Sequence, residues 1–201
     1  MTVAIIKYNA GNIYSVVNAL RRLGIQSILT DEAETLRKAD KVIFPGQGNA
    51  LEAMAHLRKY RLDEEIKNLT QPVLGICVGQ QLLCKHSKEG DVDCIGIFDT
   101  VVEKFHPVAH EDKVPVMGWQ KIEIQGGQYQ ENNLLKGLGE HPYVYFLHSY
   151  YVPITSYTIA TANYILPYSA CMQKDNFYAC QFHPEKSGKT GERILQNFLD
   201  L

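Results

Sequence analysis

The segment Gln71-Pro72-Val73-Leu74-Gly75-Ile76-Cys77-Val78-Gly79-Gln80-Gln81-Leu82-Leu83 changes character at its centre. An apolar run suited to a strand buried on both faces reaches a cysteine framed by glycines, and polar and apolar residues then follow at helical spacing. The same rhythm runs upstream. Val3-Ala4-Ile5-Ile6 reads as a buried strand, and Ile13, Val16, Leu20 and Leu23 mark one face of a helix closed by Gly24. Ser27–Thr30 reads as a second strand, Asp31 with Glu34 as the cap of a second helix, and Lys41–Phe44 as a third strand ending at Pro45-Gly46. A helix around residues 50–60 leads to the strand at 73–76. Strands that alternate with helices predict an α/β fold, a three-layer sandwich around a central, mostly parallel sheet, with ligand sites beyond the carboxyl ends of the strands. Cys77 and Pro45-Gly46 both lie at such ends.

After residue 90 the rhythm changes. Segments around Val101–Phe105, Lys121–Ile124, Val144–Leu147, Thr158–Ala162 and Tyr178–Phe182 read as strands joined by loops, and Arg193–Leu201 as a closing helix. They predict a mixed sheet, with antiparallel strands added in the C-terminal half. No Pro/Gly/Ser-rich or strongly charged linker divides the 201 residues, so one domain over 1–201 is expected. Twenty Lys and Arg against 22 Asp and Glu leave a net charge of −2, which gives no global basic field for nucleic acid or an anionic membrane. The N-terminus has no basic region followed by a cleavage site, and no apolar run approaches membrane-spanning length. Five cysteines (77, 84, 94, 171 and 180) form an odd set without a CxxC pair, suiting neither a disulfide framework nor a zinc site. A soluble chain in a reducing cytoplasm is expected. Cys84 should pack inward from the helix that follows Cys77, and Cys94, Cys171 and Cys180 should be small core residues in strands. His106, His110 and His141 lack compact ligand spacing, so no metal is expected.

Gly75-x-Cys77-x-Gly79 between a strand and a helix has the layout of a nucleophile elbow, in which small residues permit the strained turn that lifts a reactive atom above the sheet. The helix N-terminus would also favour a thiolate and an oxyanion. A free cysteine is more often a packed core residue, and the elbow layout alone leaves both readings open. A thiolate nucleophile needs a base, and the base an orienting group. Gln181-Phe182-His183-Pro184-Glu185 supplies both: Pro184 biases His183 towards extended backbone, where residues two apart point the same way. Cys77, His183 and Glu185 thus form a candidate catalytic triad.

The stretches GICVGQQLL (75–83) and QFHPEKSG (181–188), in this order and separation, resemble the class I, triad-type glutamine amidotransferase family. The resemblance implies that family's fold and activity, with no cofactor: Cys77 attacks the glutamine carboxamide, His183 passes a proton to the departing ammonia, and Glu185 orients the imidazole. It also implies an oxyanion hole from Gly46, Gln47 and Gly48 with the N–H of Val78, and substrate contacts from Gln81, Ser149 and Tyr150. Along nearly the whole chain the similarity is to glutaminase subunits of imidazole glycerol phosphate synthases. It is carried by Tyr8-Asn9-Ala10-Gly11-Asn12 with Ser15, by Val114-Pro115-Val116-Met117-Gly118-Trp119, and by Lys186-Ser187-Gly188.

That resemblance implies a heterodimer with a (β/α)8 cyclase subunit, which receives the ammonia and forms imidazole glycerol phosphate and aminoimidazole carboxamide ribotide in histidine biosynthesis. Asn12, Trp119, Tyr143 and Lys186 would lie near that partner. On chemistry alone Trp119 reads as a core or strand-flanking aromatic and Lys186 as a solvated charge. Two positions depart from the pattern: Gln47, where small or branched apolar residues are common, and Gln120, where Asn often follows the tryptophan. Gln120 is expected at the interface. Related glutaminase subunits serve sugar-nucleotide amidation, and the glutaminase signature does not distinguish the two acceptors. A cysteine peptidase or esterase on a similar sheet, and a catalytically silent regulatory partner, are the alternatives from other classes.

Overall fold

The structure, a computed structural model, describes residues 1–8, 13–46, 48–125 and 133–201. Asn12 and Gln47 lie outside the described residues. The N-terminal half runs β1 (Val3–Ile6), α1 (Ile13–Arg22), β2 (Ser27–Thr30), α2 (Ala33–Lys38), β3 (Lys41–Gly46), α3 (Ala50–Lys59), α4 (Leu62–Lys67), β4 (Val73–Cys77) and α5 (Val78–Leu82). The C-terminal half adds β5 (Cys84–Ser87), β6 (Val92–Asp93), β7 (Phe98–Lys104), β8 (Val116–Lys121), β9 (Glu123–Ile124), β10 (Tyr143–His148), β11 (Tyr150–Tyr151), β12 (Thr158–Tyr164), β13 (Leu166–Lys174), β14 (Phe177–Cys180) and α6 (Gly188–Leu199).

Every residue of β1, β3 and β4 is buried, as strands covered on both faces require. They sit inside an eight-stranded sheet of order β2-β1-β3-β4-β14-β13-β12-β9. Neighbours from β2 through β14 pair parallel, while β13, β12 and β9 continue antiparallel. The expected α/β architecture, a mostly parallel mixed sheet with antiparallel additions, is borne out. Its consequence for the site lies in β14, which returns from the far end of the sequence to pair with β4, Cys180 opposite Ile76. The residues after Cys180 therefore emerge beside Cys77. A second device is the two-stranded ribbon of β8 and β10, with Trp119 opposite Tyr145. Among the described residues, no helix is long and apolar enough to cross a membrane.

Several local expectations are corrected. The cap of α2 is Glu32 rather than Asp31, without a side-chain cap bond; the Thr30 hydroxyl instead accepts the Glu32 N–H at 3.0 Å. α5 stops at Leu82, so Cys84 opens β5 instead of riding the helix, although it is buried as expected. Cys94 lies just past β6 and is only half-buried. The reading missed β13, whose Pro167, Ser169 and Ala170 blur its alternation, and α4, which starts after Arg61 in the left-handed region. α6 begins at Gly188, five residues before the expected start, since two glycines weaken its first turn as a sequence signal. Gly191 is glycine for a packing reason: a Cβ there would collide with the carbonyl oxygen of Pro184.

Candidate active site

β4 ends in a turn that only small neighbours allow. Cys77 adopts φ 54° and ψ −110°, a conformation rare outside glycine, and is the residue from which α5 departs. Gly46 lies opposite Cys77 in the β3–β4 register, and the two chains touch there. A Cβ on Gly79 would overlap the carbonyl oxygen of Phe44, and one on Gly46 would overlap the N of Gly79. The glycines let β3 press against the first turn of α5, which holds the elbow in its strained form.

From the neighbouring strand end, Gln181, Phe182 and His183 approach. Phe182 turns into the core against Phe146, ring centroids 5.7 Å apart. His183, extended at φ −100° and ψ 95°, is 2 % exposed, and its Nδ1 meets Glu185 Oε1 at 2.8 Å. The geometry differs from the expected extended pairing: Pro184–Lys186 forms a 3-10 turn, which brings the Glu185 carboxylate back under the ring. Burial pushes the imidazole down, but the hydrogen bond to Cys77 and that to Glu185 outweigh it and hold His183 up at about 10. The backbone of His183 is clamped as well. Its N–H donates to Tyr145 O at 2.9 Å, its carbonyl accepts from the Ser187 hydroxyl at 2.6 Å, and Ser187 Oγ accepts the Tyr145 N–H at 2.9 Å. Ser187 was absent from the sequence-based set, because one hydroxyl three residues past a proline carries no signal by itself.

Cys77 and His183 open into one cavity of about 300 Å³ that also takes in Gly48, Val78, Gln81, Ser149 and Tyr150. The structure thus assembles most of the candidate substrate-site residues from four separate stretches of sequence. Glu185 stands behind His183, outside the lining, and Gly46 lies beneath it at the β3 end. Two further residues line the cavity: Glu89, which sequence reasoning missed, and His148, which directly precedes the expected contacts at Ser149 and Tyr150. Glu89 is half-buried, and its Oε2 accepts the Ala50 N–H at 2.8 Å at the start of α3; burial raises its carboxyl above the usual range despite that bond. His148 packs among Phe105, Phe146 and Tyr168 and donates from Nδ1 to Tyr150 O at 2.7 Å. Burial pushes its imidazole down to about 4, so it is neutral at physiological pH.

Gln81 supplies an orientation by counting hydrogens. Its amide nitrogen donates to Tyr150 O and to Gln181 Oε1, both at 3.0 Å. Both amide hydrogens are then used, and its oxygen remains as an acceptor on a residue that lines the cavity. At the end of β3, just before Gly46, the buried Tyr8 hydroxyl donates to Pro45 O at 2.6 Å.

Residues 4–201 match the class-I glutamine amidotransferase family. The chain belongs to this family. The amidotransferase is 58 % identical over 201 residues, all of both chains, to the imidazole glycerol phosphate synthase subunit HisH of Bacteroides thetaiotaomicron. It is 42 % identical over 202 residues to the subunit of the same name from Salmonella typhimurium, again covering all of both. Among solved structures, a putative GMP synthase subunit from Thermoplasma acidophilum matches with a TM-score of 0.74 at 22 % identity, over all of this chain and 92 % of that one. That likeness concerns the fold. The family and enzyme class expected from the two motifs are borne out.

The residues expected at a partner surface divide. Trp119 and Tyr143 are more than half exposed on the outer face of the β8–β10 ribbon, together with Met117. The Trp119 ring reaches over Gly188, just past the 3-10 turn that carries Lys186. Alternation along β8 turns Gln120 to the opposite face from Trp119, where its Oε1 accepts from Tyr168 Oη at 3.1 Å.

Proposed function

We propose that this amidotransferase is the glutaminase subunit of an imidazole glycerol phosphate synthase, one domain over residues 1–201 working in the cytoplasm. It releases ammonia from glutamine for a (β/α)8 cyclase partner. The observation that carries the reading is the convergence of Cys77, His183 and Gln81 on one cavity, with Glu185 buried behind the imidazole. Cys77 Sγ attacks the glutamine carboxamide carbon, and the oxyanion that develops faces the N–H of Val78 at the head of α5. The C–N bond breaks as His183 passes its proton to nitrogen, and ammonia leaves a thioester on Cys77. Water then attacks the thioester carbon while His183 takes its proton; glutamate departs and the sulfur is regenerated.

Substrate holding follows from the donor and acceptor inventory. The free oxygen of Gln81 and the carboxylate of Glu89 suit the α-ammonium of glutamine, and the Ser149-Tyr150 segment suits its carboxylate. The ribbon face with Met117, Trp119 and Tyr143 is the docking surface for the cyclase subunit, with Lys186 at its border. The cyclase joins the ammonia to its phosphoribulosyl substrate and releases imidazole glycerol phosphate and aminoimidazole carboxamide ribotide, a step of histidine biosynthesis.

The test is glutamate release by the full chain, alone and with the cyclase subunit loaded with its substrate. We expect turnover in the loaded complex and its loss in Cys77→Ala with the fold intact. Hydrolysis of peptides or esters with no response to glutamine would refute the reading.

A further inference from the structure

Gln181 is fully buried, and its side chain bridges two parts of the site with different duties. Its Nε2 donates to Cys77 Sγ at 3.7 Å, within range for a sulfur acceptor, and its Oε1 accepts from Gln81 Nε2 at 3.0 Å. The placement follows from the fold. Cys180 stands opposite Ile76 in the parallel β14–β4 pair, so the next residues, Gln181 and Cys77, leave adjoining strand ends. The chain bends at Gln181 and Phe182, which turns Phe182 into the core while Gln181 and His183 serve the sulfur.

We propose that Gln181 is a positioning residue that ties the amide reading the substrate's ammonium end to the nucleophilic sulfur, so that substrate orientation and thiolate orientation are set by one pair of buried amides. This rests on the glutaminase reading above and deepens it. The direction of the pair is self-consistent. Turning the Gln181 amide over would face its NH2 to the NH2 of Gln81 and its oxygen to the sulfur, leaving two donors opposed and two acceptors opposed. In the observed direction, Gln181 obliges Gln81 to keep its oxygen as an acceptor. The same amide gives the sulfur a donor that strengthens when the sulfur carries charge. The other titratable groups around Cys77 are His183 with Glu185 behind it, Tyr8 and Cys180; His148 acts on His183.

The test reads Cys77 directly, by the pH dependence of its alkylation by iodoacetamide in the full chain, followed on the Cys77 peptide by mass spectrometry. In Gln181→Glu, an oxygen replaces the donor beside the sulfur, and the midpoint rises by about one pH unit, roughly a tenfold loss of thiolate at fixed pH. Gln181→Met keeps the volume, removes both amide groups, and moves the midpoint in the same direction. The kinetic split differs between the variants. The Gln181→Glu carboxylate still accepts from Gln81, so kcat falls with KM within about twofold, whereas Gln181→Met raises KM as well.

A midpoint unchanged in a folded variant overturns the proposal. If neither variant folds, the unmodified chain decides: the side-chain amide proton resonance of Gln181 must titrate with the alkylation midpoint, and an invariant resonance overturns the proposal. Absence of glutamate release by the unmodified chain in the loaded complex would instead sink the functional reading, while the alkylation profile still decides the contact between Gln181 and the sulfur.

Discussion

The elbow at Cys77 stores strain that can be measured against an internal control. At φ 54° and ψ −110° the residue lies outside the regions open to a side chain with a Cβ, a cost of about 1–3 kcal/mol. Cys77→Ala and Cys77→Gly both remove the thiol, and they differ by one methyl group. In an ordinary buried strand, Ala→Gly costs about 0.5–1 kcal/mol of backbone entropy. Losing the buried methyl adds about 0.8 kcal/mol. Ala179 on β14, fully buried with an unremarkable backbone, provides that reference through Ala179→Gly. At position 77 the same step also relieves the strain, so it should be easier than at Ala179 by about 1–3 kcal/mol and can become net stabilising. Urea unfolding of the four chains gives the values, and a thermal scan should show about 2–4 °C per kcal/mol for a chain of this size. Equal costs at 77 and 179 would refute the claim that the nucleophile sits on a strained turn.

Three other outcomes are expected. His148 is held near a pKa of about 4 by burial, below its ordinary value of about 6.5, so between those limits the unfolded chain binds a proton that the folded chain does not. Its contribution is complete above about pH 6.5 and is lost as pH falls through 4. His148→Asn, which keeps an N–H for Tyr150 O, should flatten the acid limb of the stability curve by up to about 1.4 kcal/mol per pH unit; an unchanged slope would count against a buried neutral imidazole. Tyr8→Phe deletes the 2.6 Å bond to Pro45 O and should lower stability by about 1–2 kcal/mol in urea titrations, with kcat for glutamine reduced more than KM is changed. Trp119→Ala, at a half-exposed site, should leave the unfolding midpoint nearly unmoved yet weaken calorimetric binding of the cyclase subunit by about 30-fold, the loss of a 2 kcal/mol anchor.

The parallel half of the fold was legible because fully buried strands write continuous apolar runs: β1, β3 and β4 are such runs, and the helix faces between them repeat at 3.6 residues. Cys77 was legible because a close-packed turn needs glycine on both sides, and Gly79 meets the Phe44 carbonyl for that reason. Pairings across the chain were not. Nothing within Phe177–Cys180 states that it lies parallel to β4, yet that pairing alone brings Gln181 and His183 to the sulfur. Gln181, Ser187 and Glu89 escaped notice for the same reason. Each acts through a partner 39 or more residues away or through a backbone group, and an isolated Gln, Ser or Glu is by itself an ordinary polar residue.

The ribbon of β8 and β10 joins two functions that the sequence displays separately. Along β10, side chains alternate between an inner set, Val144, Phe146 and His148, which is buried, and an outer set, Tyr143, Tyr145 and Leu147, which is exposed or partly so. The backbone of the outer residues is where the site is held. Tyr145 O takes the N–H of His183, and Leu147 O lies 3.7 Å from Cys77 Sγ, while the Trp119 ring stands edge-on to Tyr145 at 6.1 Å. A partner seated on this face would therefore press on the strand whose carbonyls fix both the base and the nucleophile, one peptide away in each case. Displacements of a few tenths of an ångström matter there, since hydrogen bonds weaken steeply with poor geometry. On the proposed function, coupling between docking and glutamine hydrolysis has a direct route through β10, and it needs no large motion of the sheet.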